Sequence, residues 1–320
     1  MLSPVHPFAV EASTQLHPVR AVGLHEFLAL NLPPREAILD PWLPGQGLSM
    51  LYAPRGVGKT HLSLGIAYAV ASGGSFLGWN APKAQEVLFI DGEMPASSLQ
   101  ERLSQIILSD ANPPDDVPLR LITPDLQELG MPDLASEAGQ AAINSQVTPQ
   151  TKLVVVDNLS TLVRSGKENE GESWQPVQAW ALRQRAQGRS VLFIHHAGKG
   201  GAQRGTSRRE DVLDTVIALK QPSDYSPEHG AMFEVHFEKA RGVFGDAVAP
   251  FTARLIAEED GTQTWSRQTL EESNYEKVIT FANVDLKPID IASELGLNKS
   301  TVSRHLKRAR AEGRLKGPDT

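Results

Sequence analysis

The sequence predicts an α/β fold, in which a mostly parallel β-sheet with an antiparallel extension precedes a small all-α unit. Three observations carry this prediction. Between residues 48 and 196, short unbroken apolar runs typical of fully buried strands alternate with helical patterns. Beyond residue 210, apolar–polar alternation and a hairpin signal replace that pattern. From about residue 270, the chain becomes a short helical unit with concentrated basic charge.

The elements follow from local patterns. Strands are predicted at 48–52, 87–91, 119–123, 153–157 and 191–195, and helices at 62–70, 96–108, 135–147 and around 174–181. The glycine pair after Ser72 ends the first of these helices. The extension is predicted to have strands at 212–219, 232–238, 251–256 and 262–266, with a hairpin turn at Asp260 and Gly261. The predicted division is an arm and helix at 1–40, a core at 41–268 and a C-terminal unit at 269–320.

The N-terminal segment combines a loose arm with one short helix. Residues 1–20 are punctuated by proline and histidine and show no periodicity. After them, Leu24, Phe27 and Leu28 share one helical face. This face packs either on the chain's own core or on a neighbouring subunit.

Composition excludes several classes of protein. The chain has 320 residues, a net charge of −7 and no cysteine, which excludes disulfide scaffolds, thiolate metal sites and cysteine nucleophiles. It lacks an apolar run of membrane-spanning length and the basic start and apolar core of a signal peptide, so we expect a cytoplasmic protein with no membrane partner. Because the net charge is negative, any nucleic-acid surface has to be local.

The motif Ala53-Pro-Arg-Gly-Val-Gly-Lys-Thr60 lies between a predicted strand and a predicted helix, as a phosphate-binding P-loop requires. Gly56 and Gly58 allow the backbone to curl around an anion, and the new helix adds its positive end. Lys59 is expected to reach the β- and γ-phosphates of ATP, and the Thr60 hydroxyl to bind Mg²⁺. The first glycine of the motif is replaced by alanine, whose methyl group is the smallest intrusion, so we expect nucleotide binding to be kept. The predicted nucleotide-binding residues are Ala53, Pro54, Arg55, Gly56, Val57, Gly58, Lys59, Thr60 and His61.

Hydrolysis also needs a second metal anchor and a base for water. Asp157 ends an apolar strand about 100 residues after the P-loop, so it is the predicted second Mg²⁺ anchor, at a Walker B position. The residue after it is Asn158, so no adjacent glutamate can act as the base. Glu93, just past the strand that follows the P-loop helix, is the candidate base. Asp91 is the alternative candidate for the base. Its other interpretation is a turn residue or a partner that supports the base.

Residues 290–310 carry the spacing of a helix-turn-helix. Ala292 is small where two helices cross, Gly296 makes the turn, and Val302 packs the second helix back. Ser300 is expected to cap that helix. Seven Lys or Arg and one acid lie between residues 298 and 316, and residues 312–317 are interpreted as the start of a truncated wing. The predicted DNA-binding residues of this unit are Lys299, Ser300, Thr301, Ser303, Arg304 and Lys307; the alternative is a solvated basic helix.

The chain contains, in order, the P-loop, a glutamate just past a strand end, and a Walker B aspartate without a following glutamate. A strand ending in His195-His196 and then Ala-Gly-Lys-Gly200 come next, and this order resembles that of the RecA-fold ATPases. Within them, residues 40–258 most resemble the plasmid RepA-type relatives of the DnaB-like hexameric replicative helicases of superfamily 4. This resemblance implies that Glu93 is the catalytic base and that His196 senses the γ-phosphate, the alternative being a buried histidine pair satisfied by backbone. It also implies that Lys239 and Arg241 are catalytic fingers inserted into a neighbouring subunit's ATP site, the alternative being an ordinary basic strand end.

Two loops follow the catalytic strands, and in the resembling proteins such loops track single-stranded DNA. The loop at 197–209 contains four basic residues and no acid, which suits contact with phosphates. Its predicted DNA-binding residues are Lys199, Arg204, Arg208 and Arg209. The loop at 163–172 has more acids than bases and is a weaker candidate. A solvated surface loop is the alternative for both.

The leading hypothesis is therefore an ATP-dependent DNA helicase or translocase, a homo-oligomer and a hexamer by resemblance, in plasmid, phage or mobile-element replication. The appended helical unit motivates a second hypothesis, a DNA-bound regulator or helicase loader that uses ATP as an assembly switch. A filament-forming recombination ATPase is the third. No residues argue for acyl, glycosyl or redox chemistry.

Overall fold

A computed structural model describes residues 20–32, 34–164, 171–197, 211–222 and 225–315. The chain divides into two compact units, Met1–Pro34 and Arg35–Thr320. The first unit contains the predicted helix, α1 (Leu24–Ala29), which has no buried residue. Leu24, Phe27 and Leu28 are 69%, 50% and 72% exposed.

The second unit contains the remaining described helices and strands. Its helices are α2 (Lys59–Ser72), α3 (Ala96–Leu108), α4 (Glu137–Asn144), α5 (Leu159–Leu162), α6 (Gly171–Ala186), α7 (Leu270–Ala282), α8 (Pro288–Glu294) and α9 (Lys299–Ala311). Its strands are β1 (Ala37–Leu39), β2 (Leu43–Pro44), β3 (Leu48–Ala53), β4 (Ser75–Phe76), β5 (Trp79–Asn80), β6 (Glu86–Asp91), β7 (Leu119–Ile122), β8 (Thr151–Asp157), β9 (Ser190–His196), β10 (Thr215–Lys220), β11 (Met232–Ala240), β12 (Phe251–Ala257) and β13 (Gln263–Thr269).

One nine-stranded sheet organises this unit, in the order β13-β12-β11-β10-β3-β9-β8-β6-β7. The strands from β10 to β7 in that order are parallel, and β11, β12 and β13 are antiparallel. The prediction of a mostly parallel sheet with an antiparallel extension is confirmed. This arrangement is consistent with the RecA-like core that the resemblance implies. All six parallel strands point their carboxyl ends to one edge, which is where such sheets gather their functional groups.

Helices cover both faces of the parallel part. One face buries Leu51, Phe89 and Val155 against α2 and α3, and the other buries Met50 and Val154 against α4 and α6. Because neighbouring residues of a strand point to opposite faces, burial of both faces explains why these strands read as unbroken apolar runs.

Two predicted boundaries shift for local reasons. The helix expected at 135–147 is shorter because Ser136 is its N-cap, with its hydroxyl accepting the Gly139 N–H at 3.0 Å. Strand β10 begins at Thr215 rather than at 212. The preceding residue, Asp214, bonds to Leu48 twice, because its N–H donates to the Leu48 carbonyl at 2.7 Å and its carboxylate accepts the Leu48 N–H at 3.0 Å.

The last three described helices share a small core of their own, formed by Val278, Ile291, Ala292, Val302 and Leu306. The chain turns between α8 and α9 at Gly296, whose φ is +62°. The predicted capping role of Ser300 is wrong, because the N-cap of α9 is Asn298 and Ser300 is the second helical residue.

No helix in the described part of the chain is long and apolar enough to cross a membrane.

Candidate functional site

The loop between β3 and α2 curls through two glycines with positive φ, +79° at Gly56 and +109° at Gly58. These are conformations that side chains with a Cβ rarely adopt. At Gly58 space is also short, because a Cβ would lie 3.1 Å from the Phe233 ring. The helix that starts at Lys59 therefore directs its first N–H groups at the loop interior, which makes an anion site.

The Lys59 ammonium lies inside this loop, where it donates to the carbonyl oxygens of Ala53 at 3.1 Å and Pro54 at 2.8 Å. Burial lowers the pKa of Lys59, and the nearby Asp157 carboxylate opposes that shift. The alanine that replaces the first motif glycine is fully buried at the end of β3, and its carbonyl holds the lysine. The substitution is thus accommodated in the predicted loop.

Register brings the other predicted groups to the same edge of the sheet. Ala53 pairs with His196, and Asp91 pairs with Asp157, at the carboxyl ends of four adjacent strands. Together with the P-loop they line a cleft of about 680 Å³. The cleft is lined by Arg55, Gly56, Gly58, Lys59, Thr60, His61, Asp91, Glu93, Met94, Pro95, Arg102, Asp157, Asn158, His196, Tyr225, Gly230 and Ala231.

Asp157 lies beside α2 at the bottom of this cleft and is 4% exposed. Its Oδ2 accepts a hydrogen bond from Ser63 Oγ at 2.9 Å, and Thr60 also hydrogen-bonds to it. Burial, and to a lesser extent the neighbouring Asp91 carboxylate, raise the pKa of Asp157 to about 7. The sequence interpretation missed Ser63, although it lies one helical turn after Thr60 and therefore on the same side of α2.

These oxygens fit a magnesium ion that is shared with a nucleotide. Among the described residues there is no group of three or more His, Cys, Asp or Glu that could hold a metal ion by themselves. Mg²⁺ is usually bound by one or two protein oxygens together with phosphates and water, so Thr60 and Asp157 form a suitable set. A cation there would neutralise charge on the phosphates.

The candidate base and its rival have different surroundings. Asp91 Oδ1 accepts the N–H groups of Glu93 and Met94, both at 2.7 Å, so Asp91 shapes the turn after β6. The Glu93 side chain is 62% exposed and lines the cleft. Its Oε2 accepts a hydrogen bond from Asn158 Nδ2 at 2.5 Å and lies 3.9 Å from His196 Nε2. Sequence reasoning missed Asn158 as a partner, although it directly follows Asp157.

Further basic groups line the cleft. Arg55 belongs to the P-loop, whereas Arg102 comes from α3 and carried no signal in the sequence. Burial, and secondly the Arg102 charge, lower the pKa of His61 to about 4, so this imidazole is neutral at physiological pH.

Lys239 and Arg241 lie at the opposite edge of the sheet from this chain's own cleft. β11 runs antiparallel to β10, which places Ala240 opposite Thr215 at the amino end of the parallel strands. The Arg241 N–H donates to the Asp214 carbonyl at 2.9 Å, and its guanidinium donates to the Asp211 carbonyl at 2.8 Å. The structure therefore does not bring these two residues together with Glu93 in one chain.

The predicted DNA-binding residues fall into two groups. Lys199, Arg204, Arg208 and Arg209 lie outside the described residues, as does most of the loop at 163–172. On α9, the exposed side chains are Lys299, Ser300, Ser303, Arg304 and Lys307, and Thr301 is half-buried.

Several basic residues at the C-terminus are engaged within the unit, including Arg304, which donates to Glu271 at 3.3 Å. Arg308 donates to Glu312 at 2.8 Å, and Arg314 forms a two-bond ion pair with Glu276, each bond 2.7 Å long. Both guanidinium groups also lie over the Tyr275 ring. Arg314 and its neighbours thus pack against α7, and the end of the expected wing, from residue 316, lies outside the described residues.

A glycine-rich loop with a buried lysine, at the carboxyl edge of a mostly parallel sheet and beside a buried aspartate, defines a P-loop ATPase. A protein-family model described as an AAA domain (AAA_25) matches residues 13–202, which is more than half of the chain. The chain belongs to this family.

Among solved structures, the chain is similar to the flagellar accessory protein FlaH from Methanocaldococcus jannaschii. That alignment has 11% sequence identity and a TM-score of 0.46, and covers 70% of this chain and 90% of the FlaH chain.

Proposed function

We propose that this ATPase couples ATP hydrolysis to movement along single-stranded DNA, as a helicase or translocase built from a ring of identical subunits. The observation that carries the proposal is the separation, within one chain, of the cleft from Lys239 and Arg241. In this chain the cleft has a candidate base and metal anchors at one edge of the sheet, while the candidate finger strand ends at the other. A head-to-tail contact between two copies would join the two edges, and repetition of such a contact closes a ring.

Within one subunit, each group has a chemical task in hydrolysis. Lys59 exchanges its two carbonyl partners for phosphate oxygens when nucleotide binds. Glu93 accepts a proton from the attacking water, and Asn158 holds the carboxylate in the orientation that this transfer needs. His196, whose Nε2 lies 3.9 Å from Glu93 Oε2, would sense whether the γ-phosphate is present.

The second subunit would supply the positive charge that the transferring phosphoryl group requires. An arginine finger supplied by a neighbouring chain is worth about 10³–10⁵ in rate in other P-loop enzymes. Arg241 is exposed, and its backbone is anchored by Asp214, so it is presented on a fixed strand end. An isolated subunit should therefore turn over ATP very slowly.

A second candidate function is a DNA-bound regulator or helicase loader. The observation that favours it is the exposed row of Lys299, Ser303, Arg304 and Lys307 on α9, a helix supported by its own small core. Such a protein would bind duplex DNA and hydrolyse ATP slowly without separating strands. Indifference of ATP turnover to single strands, together with tight duplex binding, would favour this function over the first.

The test is ATP hydrolysis with and without single-stranded DNA, for the wild type, Arg241→Ala, Glu93→Gln and a mixture of the two variants. Arg241→Ala subunits keep their own base, and Glu93→Gln subunits keep their finger, so mixed rings contain some complete sites. We expect stimulation by DNA in the wild type, loss in each variant alone and partial recovery in the mixture. Unchanged turnover in Arg241→Ala, or no recovery on mixing, would reject shared sites.

A further inference from the structure

A second cleft, of about 510 Å³, lies at the far end of α2 from the P-loop. It is bounded by the carboxyl ends of α2 and α3, by the segment containing β4, and by β12 and β13. Helix α2 has 14 residues and is about 21 Å long, and its first residue, Lys59, lines the P-loop cleft whereas its last, Ser72, lines the second cleft. The proposed nucleotide chemistry makes no use of this cleft.

The walls of this cleft combine polar groups with apolar and aromatic side chains in similar amounts. Phe76, Ile106, Leu255 and Trp265 line it, and the Phe76 and Trp265 rings meet edge to face with centroids 5.6 Å apart. Both rings are half-buried and pack against the main core, so their outer surfaces are presented by a rigid support. The volume of this cleft lies within the range of small-molecule sites.

One carboxylate, that of Asp110, gives the cleft its charge. The buried Tyr68 hydroxyl donates to Asp110 Oδ2 at 2.7 Å, and the Asn112 N–H donates to Oδ1 at 3.0 Å. These two donors use about half of the acceptor positions of a carboxylate. The described residues that line the cleft include no Lys, Arg or His, so this charge has no cation beside it in the cleft.

The shape of the cleft is held by contacts between its walls. Ser109, next to Asp110 at the end of α3, accepts the Gln263 N–H of β13 at 2.8 Å. This bond fixes the carboxylate-bearing turn to the strand that carries Trp265. The carboxylate and the aromatic surface are thus preorganised, which lowers the cost of binding a ligand that needs both.

We propose that this cleft binds a small ligand in which a protonated amine is attached to an aromatic or apolar body. The ammonium group pairs with Asp110, and the body packs on Phe76 and Trp265. A cation next to an aromatic face gains further attraction from the ring. Anions are repelled, and a neutral body of the same shape lacks the charge pairing. This site is independent of the proposed DNA-dependent activity.

The test uses three probes with the same phenyl body: phenethylamine, 2-phenylethanol and 3-phenylpropionate. Binding to the full-length protein is measured by calorimetry and by ligand-observed NMR, first without nucleotide and then with saturating ATP and Mg²⁺. We expect saturable binding of the amine, binding of the alcohol about tenfold weaker, which is about 1.4 kcal/mol, and no binding of the acid. Equal binding of amine and alcohol, no saturation with the amine, or displacement by ATP would overturn the proposal.

Matched variants assign the contact. Asp110→Asn should weaken amine binding about tenfold and leave alcohol binding unchanged, because only the charge is removed. Asp115→Asn, an exposed acid of the same turn that does not line the cleft, should bind like the wild type. Melting curves establish that each variant is folded. Trp265→Leu is a second variant, and it should weaken the binding of both the amine and the alcohol. Wild-type affinity in both Asp110→Asn and Trp265→Leu would reject the site.

Discussion

Asn158, the residue directly after the buried aspartate of β8, donates a hydrogen bond from its side-chain amide to Glu93 Oε2 at 2.5 Å. This bond joins the ends of two neighbouring strands whose residues are 65 positions apart in sequence. The Glu93 side chain is 62% exposed, so without this hydrogen bond it could adopt other rotamers. Asn158 thus orients the candidate base. In a chain with a glutamate directly after the Walker B aspartate, that glutamate would occupy this position and act as the base.

The first prediction concerns Asn158→Asp. The new carboxylate can still accept the Ser160 and Thr161 N–H groups, as Asn158 Oδ1 does now, but it can no longer donate to Glu93 and repels it instead. We expect kcat for ATP hydrolysis to fall about tenfold to a hundredfold with a much smaller change in KM, because orientation of the base matters in the transition state. Steady-state kinetics measure both.

A double-mutant cycle gives the control for this prediction. In the Glu93→Gln background, Asn158→Asp should have little further effect, because the carboxylate that it misplaces is absent. Additive losses in the double variant would show that Asn158 acts by another route.

The second prediction concerns the buried charge of Asp157, whose pKa is raised to about 7 by burial. Between pH 4 and about 7 the folded state holds a proton that the unfolded state releases, so the stability of the nucleotide-free protein should fall as pH rises through this window. Asp157→Asn keeps an acceptor for Ser63 and removes the charge. It should raise the free energy of unfolding at both pH values, and by on the order of 2–3 kcal/mol more at pH 8 than at pH 5.

Urea unfolding without nucleotide at the two pH values measures this effect. The same variant should lose Mg²⁺-dependent nucleotide binding, since the metal anchor is gone. If Asp157→Asn is less stable than the wild type at pH 8, burial of the ionised carboxylate is not the dominant effect of Asp157 on stability.

The third prediction concerns Gly65, in the middle of α2. A Cβ at this position would lie 2.4 Å from two atoms of the Phe76 ring. Alanine normally favours a helix by about 1 kcal/mol over glycine, so the sign of the effect separates packing from propensity. We expect Gly65→Ala to destabilise the protein by about 1–3 kcal/mol through overpacking. Gly23→Ala, where no atom lies within 4 Å, should change stability little and serves as the control in thermal melts.

The fourth prediction separates two kinds of basic residue at the C-terminus. Lys307 is exposed on α9, whereas Arg314 is engaged with Glu276 and Tyr275. Lys307→Ala should leave the melting temperature unchanged and weaken duplex binding across sequences, with the salt slope reduced by about one. Arg314→Ala should lower the melting temperature of the C-terminal helices. Fluorescence anisotropy at several salt concentrations and melting curves test both variants. If Lys307→Ala and Arg314→Ala weaken DNA binding equally and leave stability unchanged, the two residues do not differ in role.

Much of the fold could be predicted from local patterns. Strand and helix positions follow from apolar periodicity, and α3 was predicted at 96–108, the same bounds that the structure has. The P-loop was predictable because glycine conformations and the adjacent lysine and threonine act over a few residues. The capping residue of α9 was predicted wrongly, because the chain leaves its turn at Asn298, two residues earlier than the sequence pattern suggested.

The order of the elements and the chemical groups at the ends of β3, β6, β8 and β9 follow from local sequence patterns. Which of these groups meet depends on the tertiary structure. Ser63 reaches Asp157 across 94 residues, and Asn158 reaches Glu93, because the strand order places β9 and β8 between β3 and β6. Long-range strand pairing likewise places Lys239 and Arg241 at the edge opposite their own cleft. The physical reason is that side-chain periodicity is local, whereas the pairing of distant strands depends on the burial of both sheet faces at once.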